Sequence, residues 1–171
     1  ISINMDLTWS EYLTAIPSFN KLKKVKTSFN ITDARILNFQ GLQSLDSLGY
    51  NLSLSLPIAT SIQIANKARY IYSITFSNCP KLESIEGFDL LSSANNISIN
   101  LPVLTQLCTF PNLEKVKGRL NFNVPNMSTF DILPKLKEAG EIYFSANKAN
   151  FFQVAPLLQK VNGPMLLSGF K

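Results

Sequence analysis

The chain has 171 residues, of which 46% are apolar and only 16% charged, and its net charge is +5. That is enough for one substantial core, and it leaves a surface built mainly from Ser, Thr and Asn, a composition that suits an extracellular β-rich protein. Histidine is absent, which removes the commonest general base and the commonest metal ligand. Bases are dispersed apart from Lys21, Lys23, Lys24 and Lys26, and no basic stripe with interleaved aromatics marks a nucleic-acid partner.

The chain opens on Ile1-Ser2-Ile3-Asn4, an apolar–any–apolar triplet followed by Ser, Thr or Asn. A start on Ile without a leader or an 18-residue apolar run is read as a mature or trimmed piece of a longer, exported protein, with no membrane insertion. The first coil, 1–31, is atypical. Within it Trp9, Tyr12, Leu13 and Ile16 have the spacing of a short helix over 8–15, and Trp9 is expected to cover the open end of the stack.

From Ile31 onward the triplet recurs, its last apolar residue falling at Ile31, Leu54, Phe76, Ile99, Phe122, Phe144 and Leu167, steps of 23, 22, 23, 23, 22 and 23 residues. Regularity of this kind is the signature of a solenoid, in which each coil buries its apolar side chains only against its neighbours. The fold expected is a β-rich, right-handed parallel stack of about eight 22–23-residue coils, forming one domain over 1–171 with a short N-terminal helix.

Each strand has a lead-in, seen as Leu22-x-x-Val25-x-x-x-Phe29-x-Ile31, Leu113-x-x-Val116-x-x-x-Leu120-x-Phe122 and Leu158-x-x-Val161-x-x-x-Met165-x-Leu167. Gly118, Gly140 and Gly163 sit four residues before the strand end, where the chain is expected to turn into the strand. Pro57, Cys79, Pro102, Pro125 and Asn147, three residues past it, mark a corner. Eight past the end, Phe39, Ile62, Leu107, Phe130 and Phe152 are expected to stack as core.

Alternation along the strand places Ser28, Asn51, Ser73, Asn96, Arg119 and Glu141 outward, then Asn30, Ser53, Thr75, Ser98, Asn121 and Tyr143, then Thr32, Ser55, Ser77, Asn100, Asn123 and Ser145. This array of hydroxyls and amides, with Arg119 and with Tyr143 as an aromatic platform, is the candidate binding surface for a protein or glycan. The same groups also serve simply to solvate and cross-link a sheet face. Asn30, Asn51, Asn96 and Asn126 head N-x-Ser/Thr sequons, three of which follow automatically from outward Asn and Ser or Thr at strand spacing. Lys24, Arg69, Lys115, Lys137 and Lys160, seven before the strand end, form a discontinuous basic column interrupted by Ser47 and Ser92. It suits an anionic glycan or acidic protein, but with Glu114 and Glu138 adjoining it is read first as a solvated corner.

No catalytic, metal or cofactor set is read from the sequence. Asp33, Asp46, Asp89 and Asp131 fall at different offsets from their strand ends and do not stack. The alternative is a parallel β-helix enzyme acting on polysaccharide, which needs carboxylates converging on one face. Cys79 and Cys108 occupy different columns, which favours two buried thiols over a bridge.

The lead-in Leu113 to Phe122 and the phrases Asn78-Cys79-Pro80-Lys81-Leu82-Glu83-Ser84-Ile85 and Phe110-Pro111-Asn112-Leu113 resemble divergent leucine-rich repeats, in particular receptor L domains and surface leucine-rich-repeat proteins of gut bacteria. Pro57, Pro102 and Pro125 stand where such repeats usually carry an Asn ladder. The resemblance implies a non-enzymatic extracellular or cell-surface recognition or adhesion module whose main surface is a parallel sheet.

Overall fold

The fold is a parallel β-solenoid, seen in a computed structural model that describes residues 5–7, 19–32, 35–107, 110–127, 132–146 and 154–169. Its main sheet runs through β1 (Met5–Leu7), β3 (Phe29–Thr32), β5 (Ser47–Ser55), β7 (Tyr70–Phe76), β9 (Ser93–Asn100), β11 (Lys115–Asn123) and β12 (Glu138–Ser145). Beyond β12 lie β13 (Lys160–Val161) and β14 (Met165–Ser168), while β2 (Lys24–Val25) pairs with β5 ahead of β3. A second parallel sheet stacks β4 (Asn38–Gly41), β6 (Ser61–Ile64), β8 (Ser84–Gly87) and β10 (Gln106–Leu107).

The register follows the predicted columns. Ile31 pairs with Leu54, Leu54 with Phe76, Phe76 with Ile99, Ile99 with Phe122, Phe122 with Phe144 and Phe144 with Leu167. The solenoid has about six turns, not eight. Eight strand positions enclose fewer full circuits than their number, and most of the first circuit lies outside the described residues. The first strand also differs from expectation. Met5–Leu7 pairs with Phe29–Ile31, so Met5-Asp6-Leu7-Thr8 carries the triplet, and the step from Leu7 to Ile31 is 24 residues, where a triplet ending at Ile3 would make it 28. Ile1–Asn4 and the expected helix over 8–15, with Trp9, lie outside the described residues, as do Cys108, Phe130, Asp33, Asp131, Asn147 and Phe152.

The core is a set of columns. Phe29, Leu52, Ile74, Ile97, Leu120 and Ile142 are buried beside Ile31, Leu54, Phe76, Ile99, Phe122 and Phe144. On the second sheet Phe39, Ile62 and Ile85 are buried and Leu107 partly so. Phe76, Phe88, Phe110, Phe122 and Phe144 make a continuous aromatic ladder through the interior, with centroid distances of 5.2 to 6.4 Å.

Corners are built from turns in which residue i+3 donates to the carbonyl of residue i. Proline occupies the second position in seven of them, those opening at Leu56, Cys79, Leu101, Phe110, Val124, Leu133 and Ala155. Its fixed φ suits that place and its missing N–H costs nothing there. The phrase Phe110-Pro111-Asn112-Leu113 is one such turn. In earlier coils the equivalent turns open instead on Phe19, Leu42, Ala65 and Phe88, which share a left-handed φ of 48° to 61°. Leu42, Ala65 and Phe88 are fully buried; the packing of their side chains offsets a backbone cost of about 1–2 kcal/mol each.

Candidate functional site

The main sheet presents its outer face through strands that bend. Between the inward residues Ile71 and Ile74 stand two residues, Tyr72 and Ser73, where strict alternation would allow one. β5 and β11 insert a further residue at the same level, giving register shifts between Leu48 and Asn51 and between Val116 and Arg119. At this bend Gly118 and Gly140 are required by close approach and not by a left-handed φ. A Cβ on Gly118 would lie 2.5 Å from Asn96 Oδ1, and one on Gly140 would strike the carbonyl oxygens of Lys117 and Gly118.

Beyond the bend, the predicted outward row is continuous. Asn30 pairs with Ser53, Ser53 with Thr75, Thr75 with Ser98, Ser98 with Asn121 and Asn121 with Tyr143. All six are half-buried, because each is flanked by its counterparts one coil away. In the next row Arg119 is aligned with Glu141, which accepts from Arg119 Nε at 2.9 Å. That carboxylate holds the guanidinium more firmly protonated. Arg119 also lies over the Tyr143 ring, 4.7 Å from its centroid. Tyr143 is therefore not the open platform expected of it; one ring face is already taken.

The open aromatic surface is elsewhere. Tyr50 and Tyr72 stack at the bend with centroids 5.3 Å apart and planes within 1°, and Tyr50 is 56% exposed. Both occupy the column that later carries Gly118, Gly140 and Gly163. Writing out that whole column, and not only its glycines, would have exposed the pair in the sequence.

Hydrogen bonding divides the face. Asn123 Nδ2 donates to Asn100 Oδ1 at 2.8 Å, Asn121 Nδ2 to Ser98 Oγ at 3.4 Å and Asn78 Nδ2 to Ser55 Oγ at 3.3 Å. By contrast, the hydroxyls of Ser53, Ser73 and Thr75 have no protein partner among the described residues. Asn96 Oδ1 accepts from the Arg119 backbone N–H at 2.8 Å, which leaves Nδ2 as the donor of that amide. Ser73, Thr75 and Asn96 line a shallow trough of about 490 Å³, bounded also by Ser98 and the Arg119–Glu141 pair; Ser53 lies one coil outside it, paired with Thr75. A second depression of about 610 Å³, towards β14, lies between Asn121, Tyr143 and the exposed Leu166.

The expected basic column does not form. Lys24 stacks over Ser47, Tyr70, Ser93, Lys115, Glu138 and Lys160 in turn. Arg69 and Lys137 lie one row away with Asp46, Ser92 and Glu114. Counting back from the strand end crosses an inserted residue in some coils and none in others, which displaces alternate members. The charges then pair across coils, Lys115 Nζ to Glu138 Oε2 at 2.6 Å and Lys137 Nζ to Glu114 Oε2 at 3.1 Å.

Cys79 is a free, buried thiol, and burial pushes its pKa up. Among the described residues no three His, Cys, Asp or Glu side chains are grouped to hold a metal ion, and no helix is long and apolar enough to cross a membrane. Compared with protein-family models, curated proteins and solved structures, the chain matches none at a significant level.

Proposed function

We propose that this chain is a non-enzymatic recognition or adhesion module, exported to the cell surface or beyond, that engages a protein or glycan through the outer face of its main sheet. Its repeat is read as a divergent, L-domain-like leucine-rich repeat. The observation that carries the proposal is the trough. Within it the hydroxyls of Ser73 and Thr75, and beside it that of Ser53, stay uncommitted among the described residues while much of the face around them is cross-linked. A face that served only to solvate the sheet would have no reason to differ between its middle and its flanks. The rigid core columns beneath fix where these groups stand, so a ligand meets a preorganised surface and little ordering entropy is lost on binding.

The test is a triple replacement, Ser53→Lys, Thr75→Lys and Ser98→Lys, screened against immobilised glycans and extracellular matrix proteins beside the unaltered chain. All three positions are on the outer face, so circular dichroism should be unchanged while binding is lost. An identified partner that binds the triple variant as well as the parent would remove the sheet face from the proposal.

A further inference from the structure

We infer that the trough binds an extended, uncharged oligosaccharide lying along the solenoid axis, across the strands, with about one sugar per coil. This rests on the reading of the sheet face as a recognition surface and specifies its ligand.

Four observations point the same way. Away from the bend, the backbone donors and acceptors beneath the trough are used between β7, β9, β11 and β12, and at the register shift the Arg119 N–H is taken by Asn96 Oδ1. A peptide strand, which binds mainly through its backbone at a free sheet edge, therefore has nothing to pair with in the middle of the face. What the face offers is side-chain hydroxyls and an amide, Ser53, Ser73, Thr75 and Asn96 Nδ2, in rows one coil apart. The hydroxyls both donate and accept, as sugar hydroxyls do, and the amide nitrogen donates.

The spacing matches as well. Parallel coils are about 4.8 Å apart, and an extended β-linked pyranose chain advances by about the same distance per sugar. Successive sugars thus meet equivalent side chains, and the contacts add along the chain.

Third, the Tyr50–Tyr72 stack flanks the row formed by Asn51 and Ser73, each tyrosine directly preceding one of them in the strand. The pair offers an apolar wall to the C–H rim of a pyranose ring while the polar rows take its hydroxyls, the division of labour usual in small-molecule sites. Tyr50, whose partner covers one ring face, keeps more than half its surface exposed.

Charge supplies the fourth. The far end of the trough carries Arg119, but Glu141 neutralises it at 2.9 Å, and Ser73, Thr75, Asn96 and Ser98 are uncharged. An anionic glycan would find no unmatched cation there, and removing its charge from water would be uncompensated. A neutral chain meets no such cost. The trough is lined by four successive strands, from Ser73 on β7 to Glu141 on β12, about 14 Å at that spacing, so about four sugars fill it.

The experiment titrates the whole chain with the β-1,4-linked series from cellobiose to cellohexaose, with xylohexaose and mannohexaose beside it and an oligogalacturonate as the acidic comparison, by calorimetry and by tyrosine fluorescence. Affinity should rise with chain length and level off at about four sugars, with the neutral chains ahead of the acidic one. Tyr50→Ala should weaken the best binder about tenfold, Thr75→Lys should abolish binding, and Gln63→Ala on the second sheet should leave it unchanged. The inference is overturned if no neutral hexasaccharide binds below about 5 mM, a binding free energy near 3 kcal/mol. It is equally overturned if the acidic chain binds best, or if Thr75→Lys has no effect on the saccharide. Should a protein ligand bind instead and be lost in Thr75→Lys, the saccharide assignment falls while the recognition face stands. If Thr75→Lys changes binding of neither class, both fall.

Discussion

Replacing Cys79 tests how the ladder is completed where its backbone pairing is interrupted. In other coils the equivalent corner is bridged by the backbone itself: Leu101 N donates to Asn123 O, Val124 N to Ser145 O and Ala146 N to Ser168 O. By that pattern Leu56 N should donate to Ser77 O. Asn78 instead adopts a left-handed φ of 49°, and the thiol of Cys79 fills the gap. Cys79 Sγ accepts from Leu56 N at 3.2 Å and donates to Ser77 O at 3.2 Å. Cys79→Ala would leave the buried Leu56 N–H unpaired, costing about 1–3 kcal/mol, and would open a small void worth about 1 kcal/mol more. The expected loss is therefore about 2–4 kcal/mol. Cys79→Ser keeps an acceptor and a donor in place and should lose about 1 kcal/mol or less. Cys79→Val fills the volume but cannot accept, so it should resemble Ala. Urea unfolding followed by circular dichroism gives the stabilities, and hydrogen exchange at the Leu56 amide should accelerate in the Ala and Val variants alone. A Val variant as stable as the Ser variant would refute the bridging role and leave only packing.

Gly140→Ala drives a Cβ into two backbone carbonyls and should cost about 2 kcal/mol or more. Gly163→Ala, whose nearest contact is 3.2 Å away, should cost under about 1 kcal/mol by the same measurement. Phe110→Ala removes a buried ring stacked on Phe88 at 5.4 Å and set edge-on to Phe122 at 6.3 Å, with an expected loss of about 3–5 kcal/mol in chemical denaturation. Hydrogen bonds from Lys115 first and Asn162 second hold the Glu138 carboxyl below its ordinary pKa. Its folded-state pKa is lowered, so its contribution is fully present at neutral pH and disappears as pH falls through the carboxylate range. Glu138→Gln should accordingly flatten that part of the acid-stability profile, and an unchanged profile would count against the pairing.

The core was legible because a solenoid forces equivalent positions to repeat. Any column that must be apolar in every coil is visible as a 22- or 23-residue period, and the pairs from Ile31 to Leu167 were placed correctly by counting alone. Counting failed where a coil gains or loses a residue. The extra residue between Leu48 and Asn51, and again between Val116 and Arg119, displaces every position before it relative to the strand end. That broke up the supposed lysine column while leaving the strand columns intact. Cys79 is buried, as its residue type suggests, but counting three past the strand end aligns it with Pro57, Pro102 and Pro125. The left-handed Asn78 instead carries it one step on, to the place of Leu56 and Leu101, with Pro80 taking the proline position. The first strand was missed because Ile1-Ser2-Ile3-Asn4 and Met5-Asp6-Leu7-Thr8 both satisfy the triplet, and only pairing with Phe29–Ile31 decides between them.

The candidate site obeys the opposite logic. Residues that hold a solenoid together must recur, so the recurring part of the outer face is the part explained by stacking: Asn123 on Asn100, Asn121 on Ser98, Glu138 on Lys115. A ligand, by contrast, is discriminated by what differs from coil to coil. On this face the column at the bend reads Tyr50 and Tyr72 in two successive coils, Asn95 in the next, then Gly118, Gly140 and Gly163. The side chains shrink from a stacked aromatic wall to bare backbone along the axis, while the outward row beside them changes from Ser73 through Asn96 to the neutralised Arg119. No requirement of the core imposes that gradient, since the inward neighbours Leu48, Ile71, Ala94, Val116 and Ala139 stay apolar throughout. The departures from the repeat, and not the repeat, give the face a direction, and a surface with a direction is what orients a chain-like ligand laid along it.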